Sequence, residues 1–414
     1  MLIYLVRLLT EAGGDLVRQR VHADEHLGLA YVSASLRGCG HEVRILDSGV
    51  MGGVAKVVTT LSRIPMAGMV GFTVDCSNAE VVSRVSRDVR AMWRLESPVV
   101  CWGGHHASLC ARAILEDWET TACDVVVLGD GELTAPEVAS AVCLANRLGE
   151  PPTTYMTGVM GIGFRPRAGC PAPIFTGPAT EKVSDSEVWK GLQPDRAVLD
   201  EMGDGQQCAR ILASRGCPHN CSFCTTPAVR KLCGQPSWIG RDAGDVVDEI
   251  EVMVKQRGIR RFYFNDDLFL PKGMDGWDHA TEIAHEILER ELDIEYKVEL
   301  RADSLNWGGQ LDMDLLKQLN RSGMKTVFLG AESGSDRMLG YLGKGVKSRD
   351  VRTAVLGLRR AGIRVNLGRI LFGPDTTWEE LEESLGFLGE NDGIATGVPA
   401  SRHAPACVPG DQAV

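Results

Sequence analysis

Three cysteines crowd together in the segment Arg215-Gly216-Cys217-Pro218-His219-Asn220-Cys221-Ser222-Phe223-Cys224. Their spacing is C-x3-C-x2-C. Structural zinc sites take four ligands, commonly as two pairs, and no second pair stands nearby. Three thiolates so close in sequence suit a [4Fe–4S] cluster held through three of its irons. The fourth iron is then open to a small molecule. Gly216 and Pro218 let the loop fold tightly. Two other readings remain: three buried thiols, and zinc with His219 as fourth ligand. The rest of the 13 cysteines are scattered singly, as small apolar residues that pack. An odd count without an export signal does not describe a disulfide scaffold.

The cysteine loop needs a strand before it, and the sequence supplies one at Arg210–Ala213. Further strands are expected at Arg261–Phe264, Tyr296–Leu300, Thr326–Gly330 and Val365–Leu371. Helices lie between them. Gly244–Gln256 places Val246, Val247, Ile250, Met253 and Val254 on one side and stops at Gly258. Thr377 and Glu380 form a capping box for a helix carrying Trp378, Leu381, Leu385 and Leu388. Strand–helix units in series predict a partial (β/α) barrel over residues 206–390, with chemistry at the carboxyl ends of its strands. Residues 391–414 read as an irregular tail without a sixth strand.

Residues 1–150 alternate in the same way. Strands are expected at Met1–Leu9, Glu42–Leu46, Met69–Thr73, Val99–Trp102 and Val125–Leu128, with helices such as Leu27–Arg37 and Ala79–Trp93. Short apolar strands between helices predict a doubly wound, Rossmann-like parallel sheet. Its strand ends, Asp75–Asn78, Gly103–Ser108 and Gly129–Thr134, are rich in small and polar residues, where such sheets bind ligands. Residues 151–205 hold many prolines and read as a stiff linker with a hairpin around Val159–Phe164.

Composition bounds the partners. The 414 residues are 44% hydrophobic and 24% charged, with a net charge of −11. That is an ordinary globular α/β composition, and the acidic balance argues against a nucleic-acid partner. No uncharged apolar run approaches the ~18 residues of a membrane span. Met1–Leu9 lacks a basic flank and reads as a strand rather than a signal peptide. A cytoplasmic protein with a small-molecule substrate is expected.

The cysteine segment, with aromatic Phe223 before the third cysteine, resembles the C-x3-C-x-Φ-C signature of the radical S-adenosylmethionine superfamily. The resemblance implies that Cys217, Cys221 and Cys224 hold the cluster. Its open iron chelates S-adenosylmethionine, and one electron, from a reductant such as flavodoxin or ferredoxin, yields a 5′-deoxyadenosyl radical. The cofactor carries the hard chemistry, and the protein positions and shields it. Phe264-Asn265-Asp266-Asp267-Leu268-Phe269 looks like the family's segment contacting the methionine amino group, through Asp266 and Asp267. Arg301 would pair with the methionine carboxylate. Gly330-Ala331-Glu332-Ser333-Gly334-Ser335 resembles the ribose- and methionine-contacting turn, through Glu332 and Ser333. Leu367–Pro374 matches the fifth strand, where Ile370 would flank adenine.

The first domain looks like the cobalamin-binding domain fused ahead of many such enzymes, on the strength of Leu27–Tyr31, Gly103–Ser108 and Gly129–Thr134. The resemblance assigns corrin contacts to Gly103, Gly104, His106, Gly129, Gly131 and Glu132. Asp24-Glu25-His26-Leu27-Gly28 falls one residue short of D-x-H-x-x-G, so histidine is not expected to ligate cobalt, and His26 reads as an exposed helix-start residue. Trp238, Trp277 and Trp307 roof the site or pack. No hydrogen-donating catalytic residue is legible. The reading is cobalamin-dependent C-methylation of a small metabolite. Its rivals are a cobalamin-independent dehydratase or epimerase like those of aminoglycoside pathways, a tRNA methylthiolating enzyme, and a non-catalytic cofactor-binding remnant. The acidic balance and the single cysteine cluster weigh against the tRNA enzyme.

Overall fold

In a computed structural model, residues 1–10, 25–93, 98–166, 172–179, 191–202, 208–307 and 310–391 are described. The expected tail beyond 391 lies outside them. The chain divides into two compact units. One is Met1–Gln206 with Ala228–Gln235; the other is Gln207–Pro227 with Pro236–Val414.

The first unit is built on a seven-stranded sheet in the order β2-β1-β3-β4-β5-β6-β7. The strands are β1 (Leu2–Arg7), β2 (Glu42–Asp47), β3 (Met69–Thr73), β4 (Val99–Gly103), β5 (Val125–Val127), β6 (Ile162–Phe164) and β7 (Ile174–Phe175). Strands β1 to β5 are parallel. Their side chains are apolar toward both faces because helices cover both. One core gathers Tyr4, Val70, Phe72, Val100 and Trp102; the other gathers Ile3, Leu5, Met69, Val125 and Ile162. Trp102 is fully buried, and its indole N–H donates to Ser86 Oγ at 3.1 Å, which satisfies the one polar atom it brings inside. The order 2-1-3-4-5 reverses direction between β1 and β3, the switch point where open α/β sheets bind ligands.

Residues expected to form a linker are partly built into this sheet. β6 pairs antiparallel with β5, and β7 with β6. Ile162, Gly163 and Phe164 are all buried, so the hairpin seals a sheet edge. Farther on, Asp195 accepts from Ser33 Oγ at 2.6 Å, and Arg196 pairs with Glu25 in a buried ion pair.

The second unit holds a five-stranded sheet in the order β16-β15-β12-β11-β8, parallel throughout. These strands are β8 (Cys208–Ile211), β11 (Arg261–Phe264), β12 (Glu295–Arg301), β15 (Met324–Glu332) and β16 (Arg364–Arg369). This is the partial barrel that the alternation predicts. Two short antiparallel pairs were not legible: β9 (Ser214–Gly216) with β10 (Trp238–Gly240), and β13 (Asn306–Trp307) with β14 (Gln310–Leu311). Two or three residues carry no period-2 signal. Helix α1 (Ala243–Arg257) is capped by Asp242, which accepts from Asp245 N–H, and ends on Gly258 at φ +65°. Helices α2 (Asp336–Tyr341), α3 (Ser348–Arg360) and α4 (Trp378–Asn391) close the unit.

Candidate cluster and corrin sites

The cysteine loop leaves β9 at Gly216, and one carboxylate holds both of its ends. Asp267 Oδ2 accepts the Gly216 N–H at 3.1 Å, and Oδ1 accepts from Thr226 Oγ1 at 3.0 Å. The neighbouring Asp266 points elsewhere. It is 2% exposed, and its Oδ1 accepts from Ala213 N (3.0 Å), Ser214 N and Ser214 Oγ (2.7 Å). Its Oδ2 is buried without a hydrogen-bond partner among the described residues. Burial pushes its carboxyl up to about 7, against the lowering hydrogen bonds from Ser214. The motif groups both acids as contacts for the methionine amino group; Asp266 is instead committed to the backbone between β8 and β9.

The loop is also held from above. The Ser222 N–H donates to Leu342 O at 3.0 Å. Gly343 lies so close that a Cβ there would stand 3.4 Å from Asn220 O. Arg301, 5% exposed, donates from Nη1 to Cys221 Sγ at 3.1 Å, from Nε to Asp303 Oδ1 at 2.9 Å, and from Nη2 to Lys344 O. Expected to meet a methionine carboxylate, Arg301 here addresses a cysteine of the loop.

Cys217, Cys221 and Cys224 fit a cluster on chemical grounds. All three are buried or half-buried. Burial pushes the Cys217 thiol up to about 11, eased by the His219 N–H and Arg301, and raises Cys224 as well, eased by Thr226. A metal that displaces these protons neutralises by ligation the thiolate charge that burial disfavours. Among the described residues, no three His, Cys, Asp or Glu side chains converge on a single ion. A cluster that gives each cysteine its own iron does not require that convergence. His219 sits 3.9 Å from Asp303 Oδ2 through Nε2, and burial lowers its pKa.

At the end of β15, Glu332 takes a left-handed φ of +62°, rare for a residue with a side chain. Its Oε1 accepts from Lys344 Nζ at 2.8 Å, and its carbonyl accepts the Ile370 N–H at 2.8 Å. Ile370 is half-buried beside it. Ser333 uses its hydroxyl inside the fold, on Ser384 Oγ (2.9 Å) and Ser335 N (3.1 Å). Phe223 is half-buried, with Lys344 Nζ 5.8 Å from its ring centre. The indole N–H groups of Trp238 and Trp277 donate to Leu268 O and Ser304 O, which marks both as packing residues. Sequence reasoning missed Thr226, Asp303 and Lys344. The only signal for the last is a lysine between two glycines, Gly343 and Gly345.

In the first unit, Ser108 ties together the turns after β4 and β5. Its Oγ donates to Gly104 O at 2.9 Å and accepts the Gly129 N–H at 3.0 Å. Gly104 has φ +103°, and a Cβ there would lie 2.8 Å from Val74 O. Gly129 has φ +75°, with Cys233 Sγ 2.8 Å from the same notional atom. Both positions demand glycine for the fold itself. Gly103 differs, because its notional Cβ meets only Val127 Cβ, at 4.0 Å. At Gly131 that atom would lie 3.1 Å from Val32 Cγ2. Glu132 is 2% exposed, so its carboxylate is not presented at the surface. His106 is half-buried, and burial lowers its pKa. His26 is a half-buried N-cap rather than an exposed residue: its Nδ1 accepts the Leu29 N–H at 3.1 Å. Asp24 lies outside the described residues. A cavity of about 220 Å³ adjoins these turns, lined in part by Leu128, Asp130, Leu133, Thr134 and Cys233. The room at Gly103 and the apolar cavity beside Gly129–Thr134 leave space for part of a ligand at these turns.

A partial parallel barrel with three cysteines on the loop after its first strands is the arrangement that the radical S-adenosylmethionine resemblance implies. Family profiles agree. The profile described as Radical SAM superfamily matches residues 211–388, and the one described as B12 binding domain matches residues 15–139. The chain is thus similar to the radical SAM superfamily over its barrel and to B12-binding domains over the sheet that precedes it. An uncharacterized methyltransferase of Pyrococcus horikoshii is 26% identical over 91% of this chain and 77% of its own. The anaerobic magnesium-protoporphyrin IX monomethyl ester cyclase of Synechocystis is 26% identical over 81% of this chain and 62% of its own. The structure of OxsB, a cobalamin-dependent S-adenosylmethionine radical enzyme with aqua-cobalamin and S-adenosylmethionine bound, superposes with a TM-score of 0.74. It is 20% identical, over 94% of this chain and 51% of that one. The chain thus spans less than two thirds of the last two proteins. A [4Fe–4S] cluster, S-adenosylmethionine and cobalamin are the cofactors of this group.

Proposed function

We propose that this protein is a cytoplasmic, cobalamin-dependent radical S-adenosylmethionine methylase that transfers a methyl group to an unactivated carbon of a small metabolite. The observation that carries this reading is the pairing, in one chain, of the cysteine loop anchored by Asp267 with the glycine turns stapled by Ser108. The bound cofactors supply the radical chemistry and carry the methyl group. The chain's own residues hold and shield them. Cys217, Cys221 and Cys224 are the cluster ligands, and Arg301 donates to one of them. Asp267 fixes the loop, while Glu332, Ile370 and Phe223 border the S-adenosylmethionine position. Gly103 gives the corrin its approach. An oxygen-sensitive cluster needs a reducing compartment and a one-electron donor, of which flavodoxin and ferredoxin are the expected kinds.

A second reading, radical chemistry without methyl transfer, is favoured by one observation: the cyclase matches this chain at the same identity as the methyltransferase does. Protein reconstituted anaerobically with iron, sulfide and cobalamin, then given S-adenosylmethionine and reductant, distinguishes them. The methylase reading expects corrin that remains bound through desalting and is methylated by S-adenosylmethionine. Protein that forms 5′-deoxyadenosine yet retains no corrin contradicts it.

A further inference from the structure

The turn Leu342–Gly345 belongs to no motif quoted above, yet it meets the cysteine loop, Arg301 and Glu332 at once. We propose that Lys344 is a positioning residue of the S-adenosylmethionine site: its ammonium sets the Glu332 carboxylate, and its carbonyl sets Arg301 against Cys221. The inference rests on the assignment of the cysteine loop to a cluster.

Four observations carry it. The Lys344–Glu332 pair is nearly closed to water, with side chains 5% and 11% exposed. Gly330 leaves the space for the pair, since a Cβ there would stand 2.7 Å from Lys344 Nζ and 2.8 Å from Glu332 Oε1. Glu332 is held in a left-handed conformation that its side chain disfavours. Lys344 also reaches Phe223, inside the cysteine loop, at 5.8 Å. A buried ion pair rarely adds net stability over apolar residues of similar size. Keeping one here, beside a strained glutamate, therefore points to a local task. Oε1 is taken by Lys344, and Oε2 has no hydrogen bond to the described residues. The ammonium thus fixes which carboxylate oxygen is left to accept from a ligand. At the same time the Lys344 carbonyl takes Arg301 Nη2, which orients the guanidinium so that Nη1 faces Cys221.

The test uses the reconstituted full chain in four forms: wild type, Lys344→Met, Lys344→Arg and Gly330→Ala. Each is read for iron and sulfide per chain, for S-adenosylmethionine affinity by equilibrium binding, and for the change that S-adenosylmethionine causes in the electron paramagnetic resonance spectrum of the reduced cluster. Loss of a charged hydrogen bond predicts roughly 10-fold weaker binding in Lys344→Met. Its iron content should be normal and its spectral change reduced. Lys344→Arg should recover most of the affinity, and Gly330→Ala should weaken it while keeping the lysine. Wild-type affinity and spectral change in Lys344→Met would overturn the proposal. So would iron loss that accounts for all the lost affinity, since Lys344 would then be a scaffold residue. If Lys344→Met does not fold, Gly330→Ala decides, and wild-type affinity there overturns the proposal. Wild-type protein that takes up no iron would instead sink the cluster assignment on which this rests.

Discussion

Asp267 grips the cysteine loop at both ends, accepting the Gly216 N–H through one carboxylate oxygen and the Thr226 hydroxyl through the other. The three cysteines between these points need a loop that is preformed, because a cluster binds faster and tighter to ligands already gathered. Replacing Asp267 with Ala removes both anchors, each worth ~1–3 kcal/mol as a hydrogen bond to a charged group. Iron retained per chain after anaerobic desalting should fall clearly below wild type. Asp267→Asn keeps one acceptor oxygen and should fall between the two. Equal iron content in all three proteins would show that the anchor does not matter.

Asp266 predicts a pH dependence. Its folded carboxyl is raised from 3.8 to about 7, chiefly by burial. A raised acid stabilises the fold only while protonated. The contribution is whole below about pH 4 and is lost as pH rises through about 7, up to about 4 kcal/mol in all. Asp266→Asn cannot ionise. Urea midpoints for both proteins between pH 5 and 8 should show wild type losing stability relative to the variant as pH rises. A gap that stays constant across this range would mean that Asp266 does not titrate there.

At the proposed corrin turns, the structure separates glycines that the fold itself needs from one that it does not. Gly104→Ala should disturb the turn with or without cobalamin, because its Cβ would meet Val74 O. Gly103→Leu should leave the melting temperature of the cobalamin-free protein close to wild type, yet lower the corrin retained after desalting. His26→Ala removes an N-cap, at a cost of ~0.5–2 kcal/mol, and should retain corrin. Normal corrin in Gly103→Leu would place the ring elsewhere.

The cysteine loop, the parallel strands and the glycine turns were legible because each is local. A ligand spacing, an apolar run or a helix stop fits within about ten residues. Strand Arg261–Phe264 even falls on its expected bounds. What sequence could not give was the side of an element that a residue serves. Asp266 and Asp267 are neighbours in one motif, and successive residues in extended chain point oppositely. Only the fold shows that one clamps a turn and the other the loop. The tie from Arg301 to Cys221 spans 80 positions, and Lys344 has no local pattern beyond its flanking glycines. β6 lies in the hairpin expected around Val159–Phe164, whereas its pairing onto the edge of the sheet and the two-residue β7 were not legible, because strands so short show no alternation.

The central claim is that Cys217, Cys221 and Cys224 together hold one [4Fe–4S] cluster that cleaves S-adenosylmethionine. The most direct measurement is iron, sulfide and zinc per chain, with 5′-deoxyadenosine formed on reduction, in wild type, in each single Cys→Ala variant of the three, and in Cys39→Ala as a control. About four irons per chain and 5′-deoxyadenosine are expected in wild type and Cys39→Ala, with both lost in each of the three loop variants. One zinc per chain without iron, or 5′-deoxyadenosine formation that survives loss of any loop cysteine, would contradict it.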